Sequence, residues 1–163
     1  MIDNPQFSRR SFLGSAAVAG ALAALPSPLL AAGARFQITR TPQEWRKILS
    51  PAQYGVLREG NTERAFSSPL DREKRRGTYA CAGCSLPLFS SATKFDSKTG
   101  WPSFTAPLPN AVRTKQEGAL FFKQTEVHCR RCGGHLGHVF DDGPKPTGKR
   151  YCMNGLALKF SAA

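Results

Sequence analysis

The five cysteines of this chain fall into two groups by their spacing. Four of them form two Cys-x-x-Cys pairs, Cys81 with Cys84 and Cys129 with Cys132. A tight turn of this kind lets two thiolates bind one ion, and two turns complete a tetrahedral all-sulfur shell that is closed to solvent. Because thiolates select zinc or iron over hard cations, the pairs predict one structural zinc ion. Two disulfides, an electron-carrying iron site and a redox Cys-x-x-Cys pair are the alternatives.

The fifth cysteine, Cys152, lies in the segment Arg150-Tyr-Cys-Met-Asn154, which is predicted to be a strand. Side chains alternate between the two faces of a strand, so Arg150, Cys152 and Asn154 share one face. A guanidinium group two residues away favours the thiolate form of a cysteine. A buried, inert cysteine would instead have apolar neighbours on its own face. We therefore interpret Cys152 as a nucleophile.

Two of the three histidines lie close together, at His135 and His138, directly after a pair of glycines. Imidazole donates and accepts protons near neutral pH, and the His-x-x-His spacing lets both rings reach one pocket. A structural role for these histidines is an equally good interpretation of the spacing alone. Downstream, Asp141 or Asp142 could hold Arg150 through two parallel hydrogen bonds, or remain a solvated surface carboxylate.

Two short helices are predicted before the first cysteine pair. Thr41 has the features of an N-cap, with proline at the next position and Glu44 completing a capping box, and this helix should reach Leu49. Ser50 repeats the signal, again with proline next, and opens a second helix that frays at residues 59–61.

From residue 77 onward the sequence contains short β-prone runs separated by Gly, Pro and Ser turns. These runs span residues 77–81, 87–89, 120–127 and 156–160. They predict a compact antiparallel β domain after the two helices. In the loop 90–110, Trp101 and Phe104 lie between turn residues. Core packing explains most aromatics in such positions, but a ligand-binding wall is the interpretation favoured here.

Residues 1–34 have the composition of an export signal. Arg9 and Arg10 precede an uncharged run rich in Ala, Leu and Gly over residues 12–25, and small residues up to Ala34 form an A-x-A-like end. Such a sequence is typical of a secretory signal, and the twin arginine makes it resemble a Tat signal. The apolar run is too short and too rich in small residues for a comfortable transmembrane helix, although a membrane anchor is the alternative. We expect a signal peptide over 1–34, cleaved near Ala34, and a mature domain over 35–163.

An export route for folded proteins agrees with the cysteine pattern. The resemblance to a Tat signal implies that the protein folds in the cytoplasm, where the zinc ion can bind first. A four-cysteine site that crossed unfolded into an oxidising periplasm would risk forming disulfides before it met the metal. The signal and the cysteines together therefore predict a periplasmic protein.

The net charge of the chain is +12. Such a charge is compatible with binding to nucleic acid or acidic lipid, and equally with a soluble basic protein. The polar residues 62–76 predict an extended arm, and the mixed-sign run 71–76 is more typical of a solvated turn than of a nucleic-acid patch. A zinc-ribbon nucleic-acid-binding module would leave Cys152 and the export signal unexplained. A periplasmic thiol oxidoreductase or metal chaperone is the third class considered.

Six motifs occur in order along the chain. They are Cys81-x-x-Cys84, Lys94-Phe-Asp-Ser97, Gly100-Trp-Pro-Ser-Phe104, Cys129-x-x-Cys132, Gly134-His-Leu-Gly-His-Val-Phe140 and Arg150-Tyr-Cys-x-Asn154. Together, over about residues 41–160, they resemble the B-type peptide-methionine sulfoxide reductases. The resemblance implies a mainly β, β-tent fold of packed antiparallel sheets with short N-terminal helices and a four-cysteine zinc site. It also implies reduction of the R epimer of methionine sulfoxide, free or in proteins.

The same resemblance assigns the catalytic roles. It implies that the thiolate of Cys152 attacks the sulfoxide sulfur and becomes a sulfenic acid. His138, helped by His135, would protonate the departing oxygen. The substrates would be oxidised proteins or peptides that contain methionine-R-sulfoxide.

Other residues are assigned supporting roles by the resemblance. Trp101 would contact the methyl group of the substrate through a sulfur–aromatic interaction, with Phe104 also on the substrate-binding side. Asn154 would orient the histidines, and Asp142 would hold Arg150.

The chain departs from the family pattern at Thr99. Many relatives carry a resolving cysteine at this position, just before the Gly-Trp-Pro-Ser-Phe motif. With the four paired cysteines committed to zinc, no internal thiol remains to condense with a sulfenic acid at Cys152. The sequence therefore predicts a one-cysteine enzyme that is regenerated by an external thiol or a thioredoxin-like reductant. We expect a monomer that neither binds nucleic acid nor inserts stably into a membrane.

Overall fold

The computed structural model describes residues 36–118 and 123–163. The predicted signal peptide and the first residues of the strand predicted at 120–127 lie outside those ranges. In the part of the chain that the structure describes, no helix is long and apolar enough to cross a membrane.

Two short helices, α1 (Pro42–Ile48) and α2 (Pro51–Glu59), open the domain as the capping signals predicted. At the start of α1, the backbone N–H of Thr41 donates to Glu44 Oε2 at 2.8 Å, and Thr41 Oγ1 accepts from the N–H of Glu44 at 3.3 Å. A second capping box begins α2. This helix ends at Gly60, where the left-handed φ of 73° favours glycine.

Nine strands follow within the described residues. They are β1 (Gly77–Cys81), β2 (Pro87–Ser90), β3 (Lys94–Phe95), β4 (Ser103–Phe104), β5 (Val112–Glu117), β6 (Gln124–Cys129), β7 (His135–Phe140), β8 (Arg150–Met153) and β9 (Leu158–Ala162). Short 3-10 turns occupy Pro69–Asp71, Ser91–Thr93 and Gly155–Ala157.

The strands form two antiparallel sheets. The smaller sheet has the order β2-β1-β9, and the larger has the order β3-β4-β8-β7-β6-β5. The predicted mainly β architecture of antiparallel sheets with two short helices is thereby confirmed. Strand β8 pairs with β4 on one side and with β7 on the other, so it is an interior strand of the larger sheet.

A cluster of aromatic rings packs the two sheets together. Phe104 of β4 stacks on Phe89 of β2 with ring centroids 4.4 Å apart, and it meets Tyr79 of β1 edge to face at 4.9 Å. Phe104 and its two partners are all fully buried. Such packing contributes both buried apolar area and favourable ring geometry. Phe104 is therefore a core residue, and the expectation that it lies on the substrate-binding side is not met.

The structure adds detail to two further predictions. The strand expected at 156–160 begins at Leu158, because residues 155–157 form a 3-10 turn. The arm expected at 62–76 is anchored at Glu63, which is only 8% exposed. Its two carboxylate oxygens accept the backbone N–H groups of Gly155 at 2.6 Å and Leu156 at 2.9 Å. One buried carboxylate thus holds both the arm and the turn.

Replacement of this carboxylate should destabilise the fold. In Glu63→Gln, the amide NH₂ group faces one of the two backbone N–H donors and leaves it without an acceptor. An unsatisfied buried donor costs about 1–3 kcal/mol, so urea unfolding of the metal-loaded mature domain should show a loss of that size. Glu59→Gln is the matched control, because Glu59 is half exposed and its Oε1 lies 3.9 Å from Arg46. Equal stability losses in the two variants would contradict the anchoring role of Glu63.

Candidate active site and metal centre

The four paired cysteines converge on one point. Their sulfur atoms all lie within 4.8 Å of one another. Across the two pairs, Cys81 Sγ lies 3.7 Å from Cys132 Sγ, and Cys84 Sγ lies 3.5 Å from Cys129 Sγ. A disulfide would require about 2.05 Å. A tetrahedron with zinc–sulfur bonds of about 2.3 Å has sulfur–sulfur edges of about 3.8 Å, so the cluster has the dimensions of a metal shell.

Each cysteine pair lies at the end of a strand, in a tight turn. Cys81 ends β1 and Cys129 ends β6. In both turns the residue four positions further on donates its backbone N–H to the first cysteine's carbonyl: Ser85 to Cys81 at 2.8 Å and Gly133 to Cys129 at 2.9 Å. Both of these residues have positive φ. The two turns therefore have the same form, and the sulfur cluster joins an end of the smaller sheet to an end of the larger one.

The four thiols lie so close together that their pKa values shift in opposite directions. Hydrogen bonds from Cys129 and Cys132 lower the pKa of the Cys84 thiol. The pKa of the Cys81 thiol is raised, because it hydrogen-bonds to the same neighbours and is buried. The thiolate is the form that binds metal, and a cation at the centre would offset the repulsion between thiolates in the cluster.

Cys152 lies beside a pocket at the middle of the larger sheet. In the sheet register it is opposite Ser103 of β4 and His138 of β7. The adjoining cavity has a volume of about 260 Å³. Its lining includes Thr62, Trp101, His138, Phe140, Cys152 and Asn154. The structure therefore brings together the cysteine, one histidine and the tryptophan that the sequence singled out.

The close approach of β7 to β8 requires a glycine at position 137. A Cβ atom on Gly137 would lie 2.1 Å from the backbone oxygen of Cys152. This contact is with backbone, which cannot move aside as a flexible side chain can. The absence of a side chain at Gly137 therefore lets His138 and Cys152 lie opposite each other.

The two histidines of β7 have different environments. His138 is partly exposed at 23% and its Nε2 lies 3.9 Å from Glu117 Oε2. Burial, and then the neighbouring His135, lower the pKa of His138 below the usual 6.5, against the attraction of nearby carboxylates. His135 is buried, and its Nδ1 lies 2.8 Å from Glu126 Oε1. That carboxylate fixes the orientation of the His135 ring, which lies 5.4 Å from the His138 ring between centroids.

Arg150 is held by Asp142 rather than by Asp141. Its Nε and Nη2 atoms donate to the two carboxylate oxygens of Asp142, each at 2.8 Å, which is the bidentate geometry. The pair raises the pKa of Arg150 and lowers that of Asp142. Asp141 instead accepts from Lys149. A permanently charged, fixed guanidinium thus lies beside Cys152 on the same strand.

Asn154 makes its hydrogen bonds to backbone groups on either side of the pocket. Its Oδ1 accepts the backbone N–H of Glu63 at 2.9 Å, and its Nδ2 donates to the carbonyl of Leu136 at 3.2 Å. Leu136 lies between the two histidines on β7. The amide of Asn154 therefore reaches them only through the backbone of that strand, and its direct role is to tie the Glu63 segment to the sheet.

Sequence reasoning missed Glu63, as it missed Glu117 and Glu126 beside the two histidines. Besides its carboxylate contacts, its carbonyl accepts the indole N–H of Trp101 at 3.1 Å. The backbone of Glu63 thus links Trp101 to Asn154 across the mouth of the pocket. Nothing in the charged segment around Glu63 distinguishes it, because its partners lie 38 and 91 residues away. The arm therefore fixes the plane of the tryptophan that lines the cavity.

Two family models match the chain. A SelR domain model matches residues 49–162, which covers most of the described domain. A model of the twin-arginine translocation pathway signal sequence matches residues 6–26 and contains the predicted Arg9-Arg10 pair. The expected export signal of the Tat type is thereby confirmed.

Curated relatives agree with the domain match. The chain is 52% identical over 124 residues to peptide methionine sulfoxide reductase MsrB of Methanosarcina barkeri, which is 76% of this chain and 87% of the relative. It is 48% identical over 126 residues to the MsrB of Leptospira interrogans, covering 77% and 96% of the two chains. It is 53% identical over 120 residues to the chloroplastic reductase B1 of Arabidopsis thaliana, covering 73% and 59%. The chain therefore belongs to the SelR domain family, that of the B-type peptide methionine sulfoxide reductases.

Proposed function

We propose that this protein reduces the R epimer of methionine sulfoxide, in proteins or as the free amino acid, with Cys152 as the nucleophile. The observation that carries the proposal is the placement of the Cys152 thiol at a 260 Å³ cavity between His138 and Trp101. Membership in the SelR family supports the reaction class. The cavity is large enough for a thioether side chain and too small for a folded domain, so a substrate methionine must project into it.

The proposed reaction transfers one oxygen atom. The thiolate of Cys152 attacks the sulfoxide sulfur while His138 gives a proton to the sulfoxide oxygen. The protonated oxygen then moves to the sulfur of Cys152, where a new sulfur–oxygen bond forms. The bond between the two sulfurs and the original bond from that oxygen to the methionine sulfur both break, and methionine leaves. Cys152 becomes a sulfenic acid and is oxidised by two electrons, while the sulfoxide is reduced by two. Arg150, held by both carboxylate oxygens of Asp142, keeps its positive charge on the same strand as the reacting sulfur.

Trp101 has a positioning role in this proposal. Its indole N–H is already bonded to Glu63, so the ring offers its apolar surface to the cavity rather than a donor. A methyl group or thioether sulfur packs favourably on such a ring. The ring would therefore hold the substrate methyl group while the sulfoxide oxygen turns towards His138.

Regeneration of Cys152 requires a thiol from outside the chain. Thr99 Oγ1 lies 3.8 Å from Cys152 Sγ. Because Thr99 carries a hydroxyl and not a thiol, it cannot form a disulfide with Cys152. The other four cysteines are gathered in the sulfur cluster. A small thiol or a thioredoxin-like dithiol protein would attack the sulfenic acid, release water and form a mixed disulfide, which a second thiol resolves.

We propose that the sulfur cluster holds one structural zinc ion. The chemistry of four thiolates and the tetrahedral spacing of their sulfur atoms support this choice. The ion would join the turn after β1 to the turn after β6 and supply no open position for substrate. Its contribution would be to folding rather than to the reaction.

The Tat signal supports a periplasmic site of action. Residues 1–34 would be removed near Ala34, and the mature domain over 35–163 would arrive folded with its metal in place. The basic charge of the chain would then serve solubility in the periplasm rather than binding to nucleic acid.

An assay on separated epimers tests the reaction. With a dithiol reductant, a peptide containing methionine-R-sulfoxide should be reduced while the S epimer remains unchanged. Without reductant the reaction should stop after one turnover per chain. Cys152→Ser should fall to the background rate, because a hydroxyl is a far weaker nucleophile at neutral pH. Equal reduction of both epimers, or sustained turnover by Cys152→Ser, would contradict the proposal.

The pH dependence of a single turnover tests the role of His138. Only protonated His138 can donate, so the rate should fall as pH rises through its pKa, which lies below 6.5 because the ring is desolvated. His138→Ala should lose this descending limb and slow the chemical step by about 10²–10⁴-fold. His128→Ala is the control, because His128 also has a lowered pKa but lies on β6 outside the cavity. A descending limb that persists in His138→Ala would remove that residue from the role.

Removal of one cluster cysteine tests the metal. Structural zinc contributes about 10–16 kcal/mol of binding energy to folding, so Cys132→Ser should give unfolded, metal-poor protein by circular dichroism and elemental analysis. Cys152→Ser, which leaves the cluster intact, should keep its metal content and thermal midpoint. A folded, metal-free Cys132→Ser protein with full activity would refute the structural role of the ion.

A further inference from the structure

A chain of three hydroxyl groups leads away from the sulfur of Cys152. Thr99 Oγ1 lies 3.8 Å from Cys152 Sγ and 2.8 Å from Ser97 Oγ. Ser97 Oγ lies 2.8 Å from Ser103 Oγ, and Ser103 Oγ donates to the carbonyl of Trp101 at 3.0 Å. Four contacts thus connect the sulfur to a backbone carbonyl. Ser103 is fully buried and is the sheet partner of Cys152 on β4. The sheet therefore fixes the position of the last hydroxyl relative to the sulfur.

Each hydroxyl has a single hydrogen, and this determines the direction of the chain. The carbonyl of Trp101 can only accept, so Ser103 donates to it. Ser103 must then accept from Ser97, and Ser97 must accept from Thr99. Thr99 is left with a lone pair facing Cys152. In this direction the chain accepts a hydrogen bond from the sulfur site, whether from the S–H of a thiol or from the S–O–H of a sulfenic acid.

A thiolate at Cys152 carries no hydrogen, so it cannot donate to Thr99 and can only accept a hydrogen bond from it. For Thr99 to donate to the sulfur, Ser97 and Ser103 must reverse as well, and the carbonyl of Trp101 loses its donor. The exchange is favourable, since a hydrogen bond to a charged acceptor is roughly twice as strong as one between neutral groups. The same three hydroxyls can therefore form a hydrogen bond with Cys152 as a thiol, a thiolate or a sulfenic acid.

We propose that Thr99, Ser97 and Ser103 form a reversible hydroxyl relay whose direction follows the protonation and oxidation state of Cys152. Thr99 is the positioning residue of the relay: it donates to the thiolate and accepts from the thiol or the sulfenic acid. The inference rests on the proposed role of Cys152 as the nucleophile. Position 99 would thus use a hydroxyl to hold the sulfur of Cys152 by hydrogen bonding.

Other charged groups also act on the sulfur, and the test must leave them in place. They are Arg150 on β8 with Asp142 behind it, His138 on β7 with Glu117 beside it, and the exposed pair of Asp96 and Lys98 on the loop that carries Thr99. The relay variants below change none of these residues. Any shift in the ionisation of the sulfur among the variants therefore reports on the hydroxyls.

The rate of alkylation of Cys152 as a function of pH measures the thiolate directly. The zinc-loaded mature domain is treated with iodoacetamide without sulfoxide, and mass spectrometry follows modification at residue 152. Thr99→Val removes the hydroxyl at nearly constant shape, and its alkylation at the acidic end of the profile should be about fivefold slower. Thr99→Ser restores the hydroxyl and should match the unmodified protein. Zinc content and thermal midpoint check that each variant is folded.

Ser97→Ala gives the sharper result, because the relay predicts that this variant changes the alkylation rate in the opposite direction from Thr99→Val. Without Ser97, Thr99 no longer has to donate into the chain, and Ser103 keeps its bond to the carbonyl of Trp101 when the thiolate forms. Alkylation at the acidic end should therefore be faster than in the unmodified protein. Loss of packing alone would move Thr99→Val and Ser97→Ala in the same direction.

The outcomes separate the relay from the proposed reaction. Opposite shifts in Thr99→Val and Ser97→Ala, with Thr99→Ser unchanged, support the relay. Shifts of the same sign, or three profiles that coincide with that of the unmodified protein, overturn it. Because no sulfoxide is present, a protein that fails to reduce methionine sulfoxide but shows the opposite shifts would overturn only the proposed reaction.

Discussion

The meeting of four sulfur atoms between the two sheets is the constraint on which the rest of the structure depends. Cys81 ends the central strand of the smaller sheet and Cys129 ends a strand of the larger one, with their sulfurs within 4.8 Å. Four thiolates at this distance would repel one another strongly, and a bound cation would offset that repulsion. Bringing Cys81 and Cys129 together closes the long loop between them, and the binding energy of such an ion would offset the entropy that this closure costs. With the sheets joined, the aromatic cluster around Phe104 packs between them.

The proposed reacting groups are carried by the interior strands of the larger sheet, where neighbours on both sides limit movement. Cys152 on β8 and His138 on β7 face each other because Gly137 has no side chain to keep the two strands apart. A site built on paired strands positions its groups more accurately than one built on loops. Trp101, which lines the cavity from a loop, is held by its indole N–H against the anchored backbone of Glu63.

Local signals predicted what depends on neighbours in sequence. The capping boxes, both cysteine turns and the shared face of Arg150 and Cys152 follow from spacing over a few residues. Contacts between distant segments could not be predicted in this way. Phe104 was expected beside the substrate but belongs to the core, and Asn154 bonds to Glu63 rather than to the histidines, because a short motif records which residues matter and not which way they face. Glu63 itself lies in a charged segment with no distinguishing pattern.

The distribution of the cysteines explains why position 99 matters in this chain. A metal shell needs all four paired thiols, and a thiol that leaves the shell to resolve a sulfenic acid would weaken the link between the sheets. The fold keeps the four clustered sulfurs apart from the proposed reactive sulfur: the cluster lies at strand ends, whereas Cys152 lies in the middle of the larger sheet. In the proposed reaction, a sulfenic acid at Cys152 would have the hydroxyl of Thr99, which lies 3.8 Å from the sulfur, in place of a thiol. A hydroxyl cannot reduce it but can hold it by hydrogen bonding, and this suits an intermediate that must wait for a reductant to arrive from solution.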